Sequence, residues 1–192
     1  MAKTGLSKSF YALYDANNGN PTYSNGGTLG KAVDADIALD GNDTVIFYAD
    51  NGPAESAAAF SGGTLTITND RLSLPAVAAV LGLETTQIST PAAGVGLDFP
   101  ADLSIPYVGY GTVFRDKVDN TDVYMGVVLL KVQFQIPVDS GVTQGETIAF
   151  EGHGFTAQIL RDDATPSKWK RMASFDTEAN AEAWIKSVLN IT

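Results

Sequence analysis

Cysteine is absent from this 192-residue chain, so disulfide staples and thiolate metal sites are excluded. Histidine occurs once, at His153 between Gly152 and Gly154, with no Ser, Cys or His motif beside it. A lone histidine of that kind is a structural or surface residue far more often than a catalytic one. Positive charge is scarce: 12 Lys and Arg stand against 22 Asp and Glu, a formal net of −10. A protein that grips nucleic acid needs a basic patch to neutralise phosphates, so this balance argues against DNA binding. It is compatible with a surface that nucleic acid must slide past, and equally with ordinary acidic solubility. No apolar run approaches the length that spans a bilayer, and the first eight residues hold no apolar signal core. The expectation is a protein made and used in a cytoplasm, with no membrane partner. The residues suggest no cofactor.

What the chain does contain is β-forming. Composition is 44% hydrophobic with 19 Gly, and little of it shows helical periodicity. At this length the chain fits one domain with a sizeable core. Ser9-Phe10-Tyr11-Ala12-Leu13-Tyr14 reads as a first strand after a flexible arm, about 1–8, and before the polar turn cluster 15–21. Residues 30–40 alternate, with Val33, Ala35, Ile37 and Leu39 on one side and Asp34, Asp36 and Asp40 on the other. Period two with this contrast predicts a strand with one wet face. Residues 44–48 and 64–68 are rich in β-branched and aromatic side chains, and Asn51-Gly52-Pro53 between them is a turn signal. This predicts a large hairpin with a long small-residue loop, about 50–61.

Leu74-Pro75 through Gly82 predicts a short helix. Pro sits harmlessly in its first turn, Gly stops it, and Leu74, Val77, Val80 and Leu81 form its apolar stripe. A Gly/Pro/Ala/Thr segment, about 85–103, reads as a linker. Residues 105–113, 123–134, 144–151, 154–160 and 168–173 read as strands. The run Gly126 to Phe134 is apolar on both faces at first, which predicts burial on two sides, with a second subunit against one of them. Residues 177–190 form the clearest helix. Asp176 or Thr177 caps it, and Ala181, Trp184, Ile185, Val188 and Leu189 lie on one face.

The patterns that carry chemistry are weak. Gly27-Thr28-Leu29-Gly30-Lys31-Ala32 lacks the leading Gly and the final Ser or Thr of a phosphate loop. Gly94-Val95-Gly96 and Gly109-Tyr110-Gly111 lack the third Gly of a dinucleotide site. The Asp/Asn clusters at 15–19 and 34–43 could hold calcium, but the first lacks the bidentate Glu of a calcium loop and both read as solvated turns. Ser167-x-x-Lys170 is too short a pattern to signify, and no carboxylate pair stands out.

Tyr48-Ala49-Asp50-Asn51-Gly52-Pro53-Ala54-Glu55-Ser56 with Gly62-Gly63-Thr64 resembles the hairpin of major tail proteins, the tail-tube subunits of long-tailed, non-contractile bacteriophages. Further segments resemble that family in order. They are Val33 to Ile37, Asp70-Arg71-Leu72-Ser73, Ile105-Pro106-Tyr107-Val108-Gly109-Tyr110-Gly111, Val128 to Phe134 with Thr143 to Ile148, and Trp169-Lys170 with Phe175 to Ala179 and Ala183-Trp184-Ile185. The Ala/Gly stretch at 91–98 departs from it.

The resemblance implies a mainly β (α+β) fold: an antiparallel β-sandwich or half-barrel with a short flanking helix and a C-terminal helix. It implies a non-enzymatic virion protein, assembled in the host cytoplasm into stacked, hexameric rings that form a conduit for DNA ejection. Implied partners are other copies of the chain, a tape measure protein in the lumen, tail terminator and distal tail proteins at the ends, and DNA only in transit. On this reading Tyr48, Asp50, Asn51, Pro53 and Glu55 of the hairpin reach a neighbouring ring, and Val127, Leu129, Lys131 and Gln133 contact a neighbouring subunit. The rival reading is a carbohydrate-binding or adhesin-type β-sandwich with the Asn/Asp/Gly loops as its recognition end. A hydrolase on the same fold has no residue constellation in its favour.

Overall fold

The computed structural model describes residues 2–40, 45–49, 52–57, 60–71, 73–119, 121–137 and 153–192. Its frame is an antiparallel sheet of eight strands. In chain order these are β1 (Ala2–Asp15), β2 (Thr22–Gly30), β3 (Ala32–Leu39), β6 (Gly63–Asn69), β9 (Val108–Val118), β10 (Thr121–Phe134), β11 (His153–Leu160) and β12 (Lys170–Phe175). Two small hairpins stand apart from it: β4 (Val45–Ala49) with β5 (Gly52–Ala57), and β7 (Thr85–Ile88) with β8 (Gly94–Leu97). The helices are α1 (Leu74–Leu81) and α2 (Glu178–Val188). The mainly β class read from composition is therefore present, with two flanking helices.

Sheet order runs β2-β1-β9-β10-β11-β6-β3, and β12 also pairs with β10. β3 comes back beside β1, so the sheet curls around an interior. The fork at β10 has a local cause. Residues 124–129 pair with β12 and 131–134 with β11, and the register against β9 slips between Leu129 and Val132. A bulge of this kind reverses which face each later side chain takes. Leu130 accordingly packs with α2, whereas Val132 and Phe134 join the core on the other face.

That core is filled from both helices. Within the curl, Leu65, Ile67, Tyr110, Leu129, Phe155 and Ile159 pack with Val77, Val80 and Leu81 of α1. Ser73 caps α1 by accepting a hydrogen bond from Ala76 N, and Gly82 ends it at φ 70°, in the left-handed region that favours glycine. On the opposite face Phe10, Ala12, Val113, Val128 and Leu130 meet Ala181 and Ile185 of α2 and Leu189, its C-cap. Each fully buried side chain of this size stabilises the fold by about 1.5–3 kcal/mol before entropy is counted. Glycines make the approach of α2 possible. A Cβ at Gly111 would stand 2.4 Å from Ile185 Cγ2, and one at Gly126 2.8 Å from the Trp184 ring.

Several expectations are corrected. The arm at 2–8 is the first half of β1, paired with β9. Residues 44–48 and 64–68 do not pair with each other: β4 pairs with β5, and β6 lies between β3 and β11. The predicted loop is thus partly a strand, with Ala49 opposite Gly52 and Tyr48 opposite Pro53. The linker at 85–103 contains the β7–β8 hairpin. On β3 only Ala35 and Ile37 pack onto the core, while Val33 is 60% exposed. On α1, Leu74 falls outside the buried stripe. The strand predicted at 144–151 lies outside the described residues.

Candidate assembly surfaces

The four β10 residues expected at a subunit contact all have partners inside the chain. Val127 and Leu129 are buried, Leu129 within the core that α1 fills. Lys131 Nζ lies 2.7 Å from Asp163 Oδ2, and 5.1 and 4.5 Å from the ring centres of Tyr14 and Tyr107. Gln133 Nε2 donates to the Ile105 carbonyl at 2.9 Å. The apolarity of β10 on both faces has a physical reason that needs no neighbour: α2 covers the second face.

The Lys131 site is tightly knit. Tyr14 OH donates to Asp163 Oδ2 at 2.7 Å and accepts from the Asp163 N–H at 2.9 Å. The hydrogen bond from Lys131, then that from Tyr14, hold the Asp163 carboxyl below its usual range. Burial, reinforced by Asp163, pushes the Tyr14 hydroxyl up to about 12. These groups bind β1, β10 and the turn before β12 to one another.

Of the hairpin residues, Asp50 and Asn51 lie outside the described residues. Tyr48, Pro53 and Glu55 are placed by backbone register on β4 and β5, the last opposite Phe47. The hairpin is inserted between β3 and β6, whose pairing ends at Leu39 opposite Gly63. Among the described residues it belongs to no larger sheet.

Other surfaces complete the outside of the fold, two of them clefts whose residues are far apart in the chain and so had no sequence signal. A groove of about 210 Å³ lies between β3 and β12, with Ile37, Phe114, Met125, Val127 and Met172 in its lining. Asp116, also in that lining, is buried, and its Oδ1 has no hydrogen-bond partner among the described residues. Along β3, Asp34 and Asp36 are exposed, with Asp40 following. A cleft of about 400 Å³ near the start of α1 holds Lys8, Lys31, Arg71 and Lys186 with two carboxylates, Asp70 and Glu182. There Lys8 pairs with Glu182 at 2.9 Å, and Lys186 Nζ lies 5.8 Å from the Phe10 ring centre. At the end of α1 the surface is of opposite character: Glu84 and Asp98 flank Phe99, which is 51% exposed.

Among the described residues no group of three His, Asp or Glu is arranged to hold a metal ion. No described helix is long and apolar enough to cross a membrane. The chain matches no protein-family model and no curated protein.

Proposed function

We propose that this protein is a structural subunit of a bacteriophage tail tube, polymerising into stacked, hexameric rings through which DNA leaves the capsid. The observation that carries the reading is the ordered set of family-like segments, from Tyr48 to Ser56 through Val128 to Phe134 to Ala183-Trp184-Ile185. The architecture supports it. A curled antiparallel sheet leaves β2 and β3 at the ends of the strand order, and β12 beside β10, as edges that a neighbouring copy can cover, and ring closure is one way such edges are removed. A two-stranded arm inserted between β3 and β6 is suited to reaching a second ring. Exposed Asp34 and Asp36, in a chain of net −10, suit a conduit that repels phosphate.

In this mechanism the protein performs no chemistry. Ring closure sets the bore, stacking sets the length along a tape measure protein, and terminator and distal proteins close the ends. Sedimentation velocity across a concentration series tests it. Species at the mass of six chains and multiples of it are expected, and a single 20.2 kDa species throughout would reject it.

A further inference from the structure

The two ends of α1 carry opposite charge. Four of the twelve Lys and Arg residues line the cleft at its beginning: Lys8, Lys31, Arg71 and Lys186. Among the described residues neither Lys31 nor Arg71 has an ion-pair partner within the chain. From there to Arg115 the sequence has no Lys, Arg or His, and its only ionisable acids are Glu84, Asp98 and Asp102. Glu84 and Asp98 stand at the far end of the eight-residue helix, about 12 Å away along its axis. Apolar side chains accompany the charge at both ends: Phe10 and Leu29 in the cleft, Phe99 beside the carboxylates.

We infer that the cleft containing Lys31 and Arg71 receives the Glu84–Asp98 surface of a second copy of this chain, head to tail. Both surfaces lie on one molecule but are not the same patch, so the contact is heterologous. A heterologous contact propagates into a closed ring or an open filament instead of stopping at a pair. Charge complementarity of this sort fixes register and partner choice more than it adds affinity, and it is weakened by salt. The inference deepens the tail-tube reading and rests on it only for ring closure.

The test uses the full chain and two kinds of variant. Lys31→Glu with Arg71→Glu, and separately Glu84→Lys with Asp98→Lys, should each weaken self-association by roughly tenfold at low salt. All four substitutions together should restore it. Since the chain has no cysteine, Arg71→Cys combined with Glu84→Cys should give, on mild oxidation, a ladder of dimer, trimer and longer species. Either cysteine alone should stop at dimers. Circular dichroism checks that each variant is folded; all four charged side chains are exposed. A wild-type association indifferent to both reversals, with no ladder, would overturn the inference and leave the tube reading standing. A ladder with charge rescue but no hollow rings in micrographs would sustain the contact and reject the tube. A chain that is monomeric throughout and forms no ladder overturns both.

Discussion

Lys131 Nζ, drawn to Asp163 at 2.7 Å, is the cation that ties the outer side of β10 to the turn leading into β12. The lysine side chain is only 14% exposed, the carboxylate 40%, and the lysine also stands over two tyrosine rings. Replacing Lys131 with Met should lower stability by about 1 kcal/mol, since a partly exposed pair and cation–π contacts are each worth that order. Denaturant unfolding measures it. Because the pairing lowers the Asp163 pKa, its contribution is present above the unfolded value and is lost as pH falls through the folded one. In Asp163→Asn that portion of the acid destabilisation should be missing.

Gly111 and Gly126 let α2 seat on the sheet. Gly111→Ala puts a Cβ 2.4 Å from Ile185, and α2 must shift to accommodate it. Overpacking of this kind costs about 1–3 kcal/mol. Thermal unfolding should show the loss, and a change in Trp184 fluorescence should accompany it, since that ring packs against the same face.

Ser9, Asn69 and Tyr110 form a buried polar link between β1, β6 and β9. Ser9 Oγ donates to Asn69 Oδ1 at 3.1 Å and, its proton so used, accepts from Tyr110 OH at 3.0 Å. Ser9→Ala leaves the buried Asn69 Oδ1 without its donor and removes one of the two hydrogen bonds of the Tyr110 hydroxyl, and should cost about 1–3 kcal/mol.

Burial pushes the Tyr110 hydroxyl up to about 12, against a counter-effect of its hydrogen bonds with Ser9 and Thr112. The folded chain therefore keeps this proton above pH 10, where the unfolded chain releases it. Stability from this group is intact below about pH 10 and declines as pH rises toward 12. Alkaline titration followed at the tyrosinate absorption band should show this destabilisation, and Tyr110→Phe should lessen it.

Much of the fold is legible in the sequence where local and global preferences agree. Pro75 and Gly82 bracket α1, and Thr177 with the Ala181–Leu189 stripe defines α2. Elsewhere long-range partners decide. β2 contains Asn25-Gly26-Gly27, a turn-like composition, yet the strand continues along β1 through a local irregularity there, with Asn25 at φ 48° and the register slipping between Tyr11 opposite Gly27 and Leu13 opposite Ser24. A Cβ at Gly26 would meet Ile191 at 2.4 Å, so this glycine also serves packing. The two apolar faces of β10 were readable; that α2 and not a second subunit covers one of them was not. Thr85–Ile88 and Gly94–Leu97 are too short and too poor in large apolar side chains to stand out from a linker. The basic cleft gathers residues from positions 8 to 186, and no local pattern records it.

Among the described residues the β4–β5 hairpin pairs only within itself, and β3 and β6 pair with each other from Ala32 opposite Asn69 to Leu39 opposite Gly63. Replacing residues 45–57 with a short Gly/Ser link should leave the unfolding midpoint nearly unchanged. It should abolish stacking while sparing single rings.

Negative-stain electron microscopy of the purified protein over a concentration series, with light scattering on the same samples, tests the central proposal most directly. The tail-tube account predicts hollow rings that stack into tubes of uniform bore as concentration rises. Solitary particles of one chain at every concentration would contradict it.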